Sequence, residues 1–325
     1  MNGQTNKLMS LSQAVSRFVE DGSHISIGGF TINRNPMAAV YEIIRQKKRR
    51  LHLYAHSNGQ GVDELIGAGC VEKLEIAYGG SGRFAPTCVR FRKAVEAGRI
   101  LVEDYTNYQM TLRFMAGAMG VPFLPTRSSL GSDIAAVWGF SKESRRNDPH
   151  LPNSKLAVMH NPFDDWCDID RVVLVPAINP DVTIIHVQAA DSQGTARISG
   201  LPFADVEQAK AARHLIVTCE SVVETRQLRR QPDQNQIPFF CADAVVHVPM
   251  GAYPTACYQH YDYDPTRLHQ YRHAALDEVR YRVYLQTQIL DSATHEAMMA
   301  SIDSGQLEKI RADKRTGYAV GLDRR

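Results

Sequence analysis

The sequence predicts an α/β protein in which a largely parallel, open sheet is flanked by helices and the second half of the chain is more elaborate. Three observations support this fold class. In the first 125 residues, short apolar runs alternate with segments whose apolar residues recur at helical spacing. Glycine-rich or polar loops follow most of these runs. The 325 residues have 44% hydrophobic content, which is enough to bury a large core.

The elements of the first half follow from local patterns. Helices are predicted over residues 10–22, 36–46, 62–69, 88–98 and 108–119, and strands over 24–29, 51–57, 74–78 and 99–105, with a short extended piece at 121–125. Pro36 suits the first turn of its helix, because the N–H that proline lacks has no partner there. Strands and helices that alternate in this way form a parallel sheet whose strands are joined by right-handed crossovers.

Four loops follow predicted strands, at residues 28–31, 56–61, 79–83 and 103–107. The carboxyl ends of parallel strands meet at one edge of a sheet, and ligands bind in the loops at that edge. We therefore expect these four loops to lie together and to form the functional site.

The second half is less regular. A polar segment at 139–170 is predicted to be a linker or a long excursion before the sheet resumes. Strand patterns then fill 171–199, 214–220 and 243–249, with helices at 203–212 and about 275–290 and a segment rich in Gly, Pro and Tyr at 251–264. With no internal repeat, we expect residues 1–325 to form one domain rather than two separable ones.

Composition argues against several classes of protein. There are 37 Lys and Arg residues and 35 Asp and Glu residues, and the basic run at 47–50 is interpreted as a solvated helix end rather than a nucleic-acid site. No apolar run approaches the ~18 residues that span a membrane, and no leader pattern opens the chain. The six cysteines form no C-x-x-C pair, so we expect reduced thiols, no structural zinc and a cytoplasmic location.

The loop Gly-Gly-Phe-Thr-Ile-Asn-Arg-Asn-Pro at 28–36 has the layout of an anion-binding turn. It matches neither G-x-G-x-x-G nor G-x-x-x-x-G-K-[ST], which argues against dinucleotide and P-loop sites. Gly28 and Gly29 allow close approach of the backbone, the helix after Pro36 points its positive end at the loop, and Arg34 offers a charged contact. A tight turn without a ligand remains an equal alternative.

Other loop residues support weaker hypotheses. His56 is a poor base for Ser57, since adjacent residues on a strand point to opposite faces; Ser57 and Asn58 are better interpreted as hydrogen-bonding residues. Glu103, with Asp104, is interpreted as a base, a nucleophile or a helix cap. His186 lies in an apolar strand, which favours a satisfied core histidine, and no two histidines show metal-ligand spacing.

Five stretches, taken in order, resemble the family I coenzyme A transferases, and specifically the A-type half of the glutaconate CoA-transferase type. They are residues 28–46, 91–106, 120–133, 181–198 and 241–264. Relatives among the 3-oxoacid CoA-transferases carry a G-G-F-x-x-x-G-x-P loop, which Gly28, Gly29, Phe30 and Pro36 echo.

The resemblance implies a division of labour between two subunits, of A type and B type. In this family the B subunit carries a glutamate, often within Ser-Glu-Asn-Gly, that forms a glutamyl-CoA thioester. The comparable stretch at 56–59 here is His-Ser-Asn-Gly, without a glutamate beside the serine. We therefore expect an assembly with a B subunit, A2B2 or larger, which uses CoA as a substrate, with an acyl-CoA and a carboxylic acid, and no permanently bound cofactor.

The resemblance also implies supporting roles for residues of this chain. The backbone of Gly28, Gly29, Phe30 and Thr31 is predicted to lie beside the thioester or its developing oxyanion, and Arg34 to meet a carboxylate of the acyl group. Further predicted substrate contacts are Ser57, Asn58, Ser81 and Gln109.

Two alternatives share the fold. Similar A/B pairs hydrolyse a ring of a CoA-linked product of steroid breakdown, with a glutamate of the A-type half near the strand that reads Val-Glu-Asp-Tyr-Thr-Asn here; Glu103 is then the candidate. Effector domains of some sugar-phosphate-responsive repressors also share the fold. They need a helix-turn-helix, for which residues 1–23 are expected to be too short.

Overall fold

The computed structural model describes residues 6–324. Its strands are β1 (His24–Ile27), β2 (Leu51–Asn58), β3 (Val71–Gly79), β4 (Leu101–Asp104), β5 (Phe123–Thr126), β6 (Ala157–His160), β7 (Arg171–Pro176), β8 (Val182–Ala190), β9 (Ala196–Arg197), β10 (His214–Val222) and β11 (Ala244–His247).

Helices connect and cover these strands. They are α1 (Leu11–Phe18), α2 (Met37–Arg45), α3 (Gln60–Gly67), α4 (Val89–Glu96), α5 (Asn107–Met119), α6 (Asp133–Ala136), α7 (Lys142–Arg146), α8 (Asp205–Ala211), α9 (Thr225–Arg229), α10 (Pro265–Ala275), α11 (Glu278–Leu285), α12 (His295–Ala300) and α13 (Ser304–Ile310). Within residues 6–324, no helix combines the length and the apolar character needed to cross a membrane.

The main sheet is parallel and has the strand order β11-β10-β8-β1-β2-β3-β4, with β9 added antiparallel to β8. The central strand β1 is buried along its whole length, because helices cover both faces of the sheet. The predicted α/β class with a largely parallel sheet is therefore confirmed.

The structure adds detail to two of the predicted segments. The extended piece predicted at 121–125 is strand β5, and it belongs to a separate antiparallel sheet of order β5-β7-β6. The polar segment at 139–170 contains α7 and β6, so it is an excursion with its own secondary structure. Its strand β6 is exposed at every residue, although three of its four residues are apolar.

The helix predicted at about 275–290 is present as α11 and the helical turn that follows it, but the separate helix α10 before it was not predicted. Helix α10 ends at Ala275, and α11 begins at Glu278 and continues into a short π-helical turn at Gln286–Leu290. Asp277 causes the break, because its carboxylate accepts hydrogen bonds from the backbone N–H groups of Val279 (3.0 Å) and Arg280 (2.9 Å). A residue that caps a new helix cannot also continue the previous one.

Helix α3 carries two buried acids that join the first and last thirds of the chain. Asp63 accepts hydrogen bonds from the N–H groups of Val89 (3.1 Å) and Phe91 (2.7 Å), and so caps α4. Glu64 accepts hydrogen bonds from Tyr284 Oη and Gln60 Nε2, both at 2.8 Å. These neutral donors do not offset the loss of water, and burial raises the pKa of Glu64 to about 7.

We predict that the pKa of Glu64 shapes the pH dependence of stability. Between about pH 4.5 and 7 the unfolded chain loses the Glu64 proton first, so the free energy of unfolding falls as the pH rises and levels off above pH 7. Glu64→Gln removes this decline. Relative to the wild type, the variant gains about 3 kcal/mol across that window, measured by urea unfolding at each pH.

The exposed Glu72 provides the matched control. Glu72→Gln keeps the wild-type pH slope, because it leaves the buried Glu64 carboxylate and its hydrogen bonds unchanged. A Glu64→Gln variant whose unfolding free energy follows the wild-type slope contradicts the prediction.

Candidate functional site

The four loops predicted to meet do lie at one edge of the sheet. Thr31 N–H donates to Ser57 O (2.9 Å), and Gly59 N–H donates back to Thr31 O (3.1 Å), which ties the loop after β1 to the end of β2. Gly80 N–H donates to Asn58 O (3.2 Å), which adds the loop after β3. The loop after β4 joins through a hydrogen bond from the Ser57 hydroxyl to the side chain of Asn107.

The glycine loop, residues 28–36, uses its own amides to hold its shape. Each predicted residue donates its backbone N–H inside the chain: Gly28 to Ile184 O (2.9 Å), Gly29 to Asp205 Oδ1 (2.8 Å), Phe30 to Asn33 O (2.8 Å) and Thr31 to Ser57 O (2.9 Å). These four amides are therefore engaged, and the loop forms a rigid wall rather than a set of free oxyanion donors. Its contact with a thioester stays a prediction.

Glycine is required at two positions of this loop. Gly29 has φ +86°, and a Cβ there would lie 2.6 Å from Asn33 O. A Cβ on Gly28 would lie 2.9 Å from the carboxylate of Asp205. Both positions place the backbone against other parts of the chain, which is the close approach that only glycine allows.

Arg34 is held by a buried ion pair. Its Nη2 lies 3.0 Å from Asp205 Oδ2, and its guanidinium also donates to Leu201 O (3.0 Å) and Pro202 O (3.2 Å). Arg34 is 3% exposed. The structure thus places Arg34 as a clamp between the glycine loop and the loop before α8, and its contact with an acyl carboxylate stays a prediction.

Ser57 and Asn58 are also buried and engaged. Asn58 donates through Nδ2 to Gly28 O (3.1 Å) and accepts from Val62 N–H (3.2 Å), so it links the glycine loop to the start of α3. The Ser57 hydroxyl faces Asn107 rather than the neighbouring His56. This agrees with the expectation that His56 and Ser57 do not form a nucleophile–base pair.

His56 is half-buried beside the glycine loop. Its ring centroid lies 5.7 Å from the Phe30 ring, and Phe30 in turn stacks on Phe203 at 4.8 Å. Burial lowers the pKa of His56, so the imidazole is neutral at pH 7. These three rings give the edge a partly apolar surface.

The predicted contacts Ser81 and Gln109 have structural partners. Ser81 N–H donates to Ala85 O (2.8 Å) and closes the turn after β3. Gln109 belongs to a capping box, in which its side chain accepts from Thr106 N–H (3.1 Å) and also donates to Ser129 Oγ (2.7 Å). Both residues position loops at the edge, and a direct substrate contact by either remains a prediction.

Glu103 is fully buried and has four donors around its carboxylate. It accepts from Gly139 N–H (3.0 Å), Phe140 N–H (3.3 Å) and Tyr105 Oη (3.2 Å), and it forms an ion pair with Arg145. This carboxylate docks the excursion onto β4, and its hydrogen-bonding capacity is used within the chain.

The two remaining acid and histidine candidates are satisfied as well. Asp104 pairs with Lys155 Nζ at 3.2 Å. His186 is buried, and its ring nitrogens lie 2.9 Å from Thr218 Oγ1 and 2.8 Å from Glu220 Oε1. His186 is therefore a core histidine with a partner on each nitrogen, as its apolar strand indicated.

A cavity of about 380 Å³ adjoins the glycine loop and was not predicted. Asn33 and Arg34 form one side of it. The rest is mainly aromatic and glycine-rich, with Phe203, Tyr258, Tyr263, Gly317 and Tyr318. Tyr258 and Tyr263 belong to the segment rich in Gly, Pro and Tyr at 251–264, for which we predicted no function. This segment is far from the glycine loop along the chain, so no local pattern indicated that the two are neighbours in the fold.

Asp205 is the residue of this site that sequence reasoning missed. It is fully buried in the first turn of α8, and it binds both Gly29 and Arg34. The sequence feature that could have indicated Asp205 is its position at the start of a helix. Acidic residues are common there, because the helix dipole is positive at that end, so the feature is not specific.

Comparisons with known proteins agree with this architecture. The family model described as coenzyme A transferase matches residues 8–248. The A subunit of glutaconate CoA-transferase from Acidaminococcus fermentans is 36% identical over 98% of both chains. The crystal structure of glutaconate coenzyme A-transferase from the same organism has a TM-score of 0.92, with 37% identity, 97% coverage of this chain and 98% of that one.

Two further relatives bear on the alternatives raised by the sequence. The A subunit of 3-oxoadipate CoA-transferase from Pseudomonas knackmussii is 31% identical over 92% of this chain and 99% of its own. The cholesterol ring-cleaving hydrolase IpdA subunit of Rhodococcus jostii is 28% identical over 90% of this chain and 95% of its own. Because the family model covers most of the chain and the likeness to the glutaconate enzyme covers nearly all of it, the chain belongs to the coenzyme A transferase family.

Proposed function

We propose that this chain is the A-type half of a two-subunit CoA-transferase of the glutaconate type. The observation that carries the proposal is the agreement of sequence and fold with such a chain along nearly its whole length. The substrates are an acyl-CoA and a carboxylic acid, and CoA itself is exchanged rather than held as a cofactor. We further propose a hetero-oligomer with a B subunit, A2B2 or larger.

The nucleophile belongs to the partner subunit in this proposal. Around the four loops, the carboxylates of Glu103, Asp104 and Asp205 are each paired with a cation. Ser57 and Asn58 end β2 without a glutamate between them. A carboxylate that attacks a thioester must be accessible and unpaired, and these three carboxylates do not meet that requirement.

The proposed reaction is a ping-pong exchange on a glutamate of the partner. Its carboxylate attacks the thioester carbonyl, and CoA thiolate leaves from an acyl-glutamyl anhydride. The thiolate then attacks the glutamyl carbonyl, which releases the first acid and leaves a glutamyl-CoA thioester. The second acid reverses these two steps, so that it departs as the new CoA ester and the glutamate is regenerated.

This chain supplies one wall of the shared site. The glycine loop is held rigid by its internal amide bonds and by Arg34, so it presents a fixed surface at small entropic cost. Phe30, Phe203 and His56 give that surface its apolar part. The six free cysteines are compatible with a reducing compartment, and we place the reaction in the cytoplasm.

The ring-opening hydrolase is the weaker alternative. It requires Glu103 to act on substrate or water, whereas Glu103 is 0% exposed and paired with Arg145. This chain also has lower identity to the hydrolase relative than to the two CoA-transferase relatives.

We predict that the covalent intermediate forms on the partner and not on this chain. The purified chain by itself shows no CoA exchange, while its mixture with the B subunit is active. Borohydride added during turnover with acyl-CoA reduces the glutamyl-CoA thioester, and mass spectrometry finds the modified glutamate in the B subunit. Exchange by this chain without its partner, or a modified glutamate in it, contradicts the proposal.

We predict that Glu103→Gln impairs stability rather than chemistry. The substitution leaves Arg145 buried without its charge partner, which costs about 3–5 kcal/mol of unfolding free energy. The kcat for CoA transfer, expressed per folded site, stays within about 3-fold of the wild type, since a general acid or base is worth about 100-fold or more.

The exposed Glu96 provides the control for this variant, because Glu96→Gln changes the free energy of unfolding by less than about 0.5 kcal/mol. The opposite pattern for Glu103→Gln, an unchanged melting temperature with a loss of kcat of about 100-fold, favours the hydrolase-type role of this residue.

We predict that Arg34→Lys disturbs the substrate wall. Lysine keeps the charge but cannot bridge Asp205 and the two carbonyls, so the glycine loop loses its clamp. In the reconstituted enzyme, kcat/KM falls by about 10- to 100-fold. The same change at the exposed Arg50 leaves kcat/KM unchanged. Wild-type kinetics for Arg34→Lys refute the role of the clamp.

A further inference from the structure

A second cluster of reactive side chains lies at the opposite edge of the sheet. His24 is the first residue of β1 and His52 is the second residue of β2. The parallel register pairs these two residues directly, and their ring centroids are 4.3 Å apart. Strand β1 separates this cluster from Gly28 by about 13 Å at about 3.3 Å per residue.

His52 is oriented with one nitrogen free. Its Nε2 lies 2.9 Å from Glu75 Oε1, so the ring donates this proton to a buried carboxylate. Its Nδ1 then carries a lone pair, is buried and has no hydrogen-bond partner among the described residues. A histidine that donates one N–H to a carboxylate and points its other nitrogen into a cluster has the arrangement of a metal ligand.

His24 presents a second imidazole to the same point. Its Nδ1 lies 2.7 Å from the hydroxyl oxygen of Tyr54, which fixes the ring. Its Nε2 lies 3.2 Å from Asp148 Oδ1. His24 is 4% exposed, so its ring is fixed inside the protein beside His52 and Asp148.

Asp148 completes the cluster from the excursion. Its Oδ2 lies 4.0 Å from His52 Nδ1 and 2.8 Å from Lys73 Nζ, while its Oδ1 faces His24. The ring centroid of His150 lies 4.4 Å from that of His24, and the His150 side chain is 46% exposed, so the outer side of the cluster is partly open to solvent. The donor set is thus two nitrogens and one carboxylate oxygen.

We propose that His24, His52 and Asp148 bind one zinc-type divalent cation, which fastens the excursion to the amino-terminal edge of the sheet. Their ligand atoms lie within 4.8 Å of one another. Zinc bonds of about 2.0–2.1 Å need donors about 3.3 Å apart, so small side-chain movements close the site. Imidazole with one carboxylate favours zinc over magnesium or calcium.

The role of the cation is structural and not catalytic. Its ligands come from β1, β2 and the excursion, so binding joins segments that are far apart in the sequence. Ion binding that occurs only in the folded state stabilises that state. The cluster lies at the far end of the strands from the glycine loop, and the proposed CoA chemistry does not require it.

Two other clusters have similar composition and are weaker candidates. His186, Glu220 and Cys257 are buried together, but both nitrogens of His186, the one histidine of this group, have hydrogen-bond partners, so the group has no counterpart of the unpartnered His52 Nδ1. His160 lies with Asp164 and Asp170 in an exposed group on the excursion. Exposed groups of this kind bind metal adventitiously, and His160 therefore provides the control for surface binding.

The test measures zinc bound by the full-length chain, both by itself and in complex with its partner. The protein is stripped with a chelator, dialysed against zinc and analysed for metal content. We expect one tightly held zinc per chain and a melting temperature several degrees above that of the stripped protein. X-ray absorption of the zinc-bound wild type is expected to show a four-coordinate site with imidazole ligands.

Four variants locate the bound zinc. His24→Gln and Asp148→Asn nearly preserve side-chain volume and are expected to weaken zinc binding by more than the roughly 10- to 100-fold that loss of an outer-shell partner causes. His160→Gln leaves binding unchanged. Lys73→Met removes the cation that competes with zinc for Asp148, so we expect this variant to bind zinc more tightly than the wild type. If the cluster were only a set of ion pairs, removal of Lys73 would not increase zinc binding.

Several outcomes overturn the proposal. They are a wild-type chain that holds no stoichiometric zinc, a zinc that is lost with His160→Gln but kept with Asp148→Asn, and an absorption spectrum without imidazole ligands. If His24→Gln does not fold, Asp148→Asn in the excursion and the spectrum of the wild type decide the question. None of these measurements depends on CoA transfer, so the metal site and the proposed function fail independently.

Discussion

The buried carboxylate of Asp205 is the constraint on which the candidate site depends. One oxygen accepts the N–H of Gly29, and the other pairs with Arg34, whose guanidinium also binds two carbonyls of the loop before α8. Asp205 and Arg34 are 171 residues apart, so this contact joins the two halves of the main sheet. A buried ion pair adds little net stability, but loss of either partner leaves an uncompensated charge. The geometry of the glycine loop is therefore coupled to the packing of α8.

Buried carboxylates fasten other loops in the same way. Asp63 caps α4, Glu103 docks the excursion, and Glu64 accepts hydrogen bonds from residues of α3 and α11. Each of these acids is held in the fold by donors from other segments. An acid that is buried and held in this way cannot also serve as an accessible nucleophile. This agrees with the proposed division of labour, in which this chain uses its acids at the edge for structure and a carboxylate of the partner subunit carries the chemistry.

The parts of the fold that were predictable are those with local signals. The alternation of strands and helices indicated the parallel sheet, and the position of loops after strands indicated the edge where Thr31, Ser57 and Asn58 meet. The capping box of Thr106 and Gln109 has the local pattern Thr-x-x-Gln, and it explains why Gln109 is buried. The partner of Arg34 was not predictable, since ion pairs between distant segments leave no pattern in the sequence. The register that pairs His24 with His52 depends on which strands are neighbours, and that is a property of the whole sheet.

The excursion supplies one of the cations that balance two carboxylates buried in the main sheet. Glu75 and Glu103 are direct neighbours in the register of β3 and β4, about 5 Å apart across the strands, and both are fully buried. Arg113 of α5 pairs with Glu75; although burial by itself raises the pKa of Glu75, Arg113 and His52 hold it at about 2. Arg145 of the excursion pairs with Glu103. Two adjacent carboxylates in a core repel each other and need two cations. Without the excursion, Glu103 would lose its cation while its neighbour stayed charged, so the excursion is an integral part of the sheet's electrostatic balance and not a removable insertion.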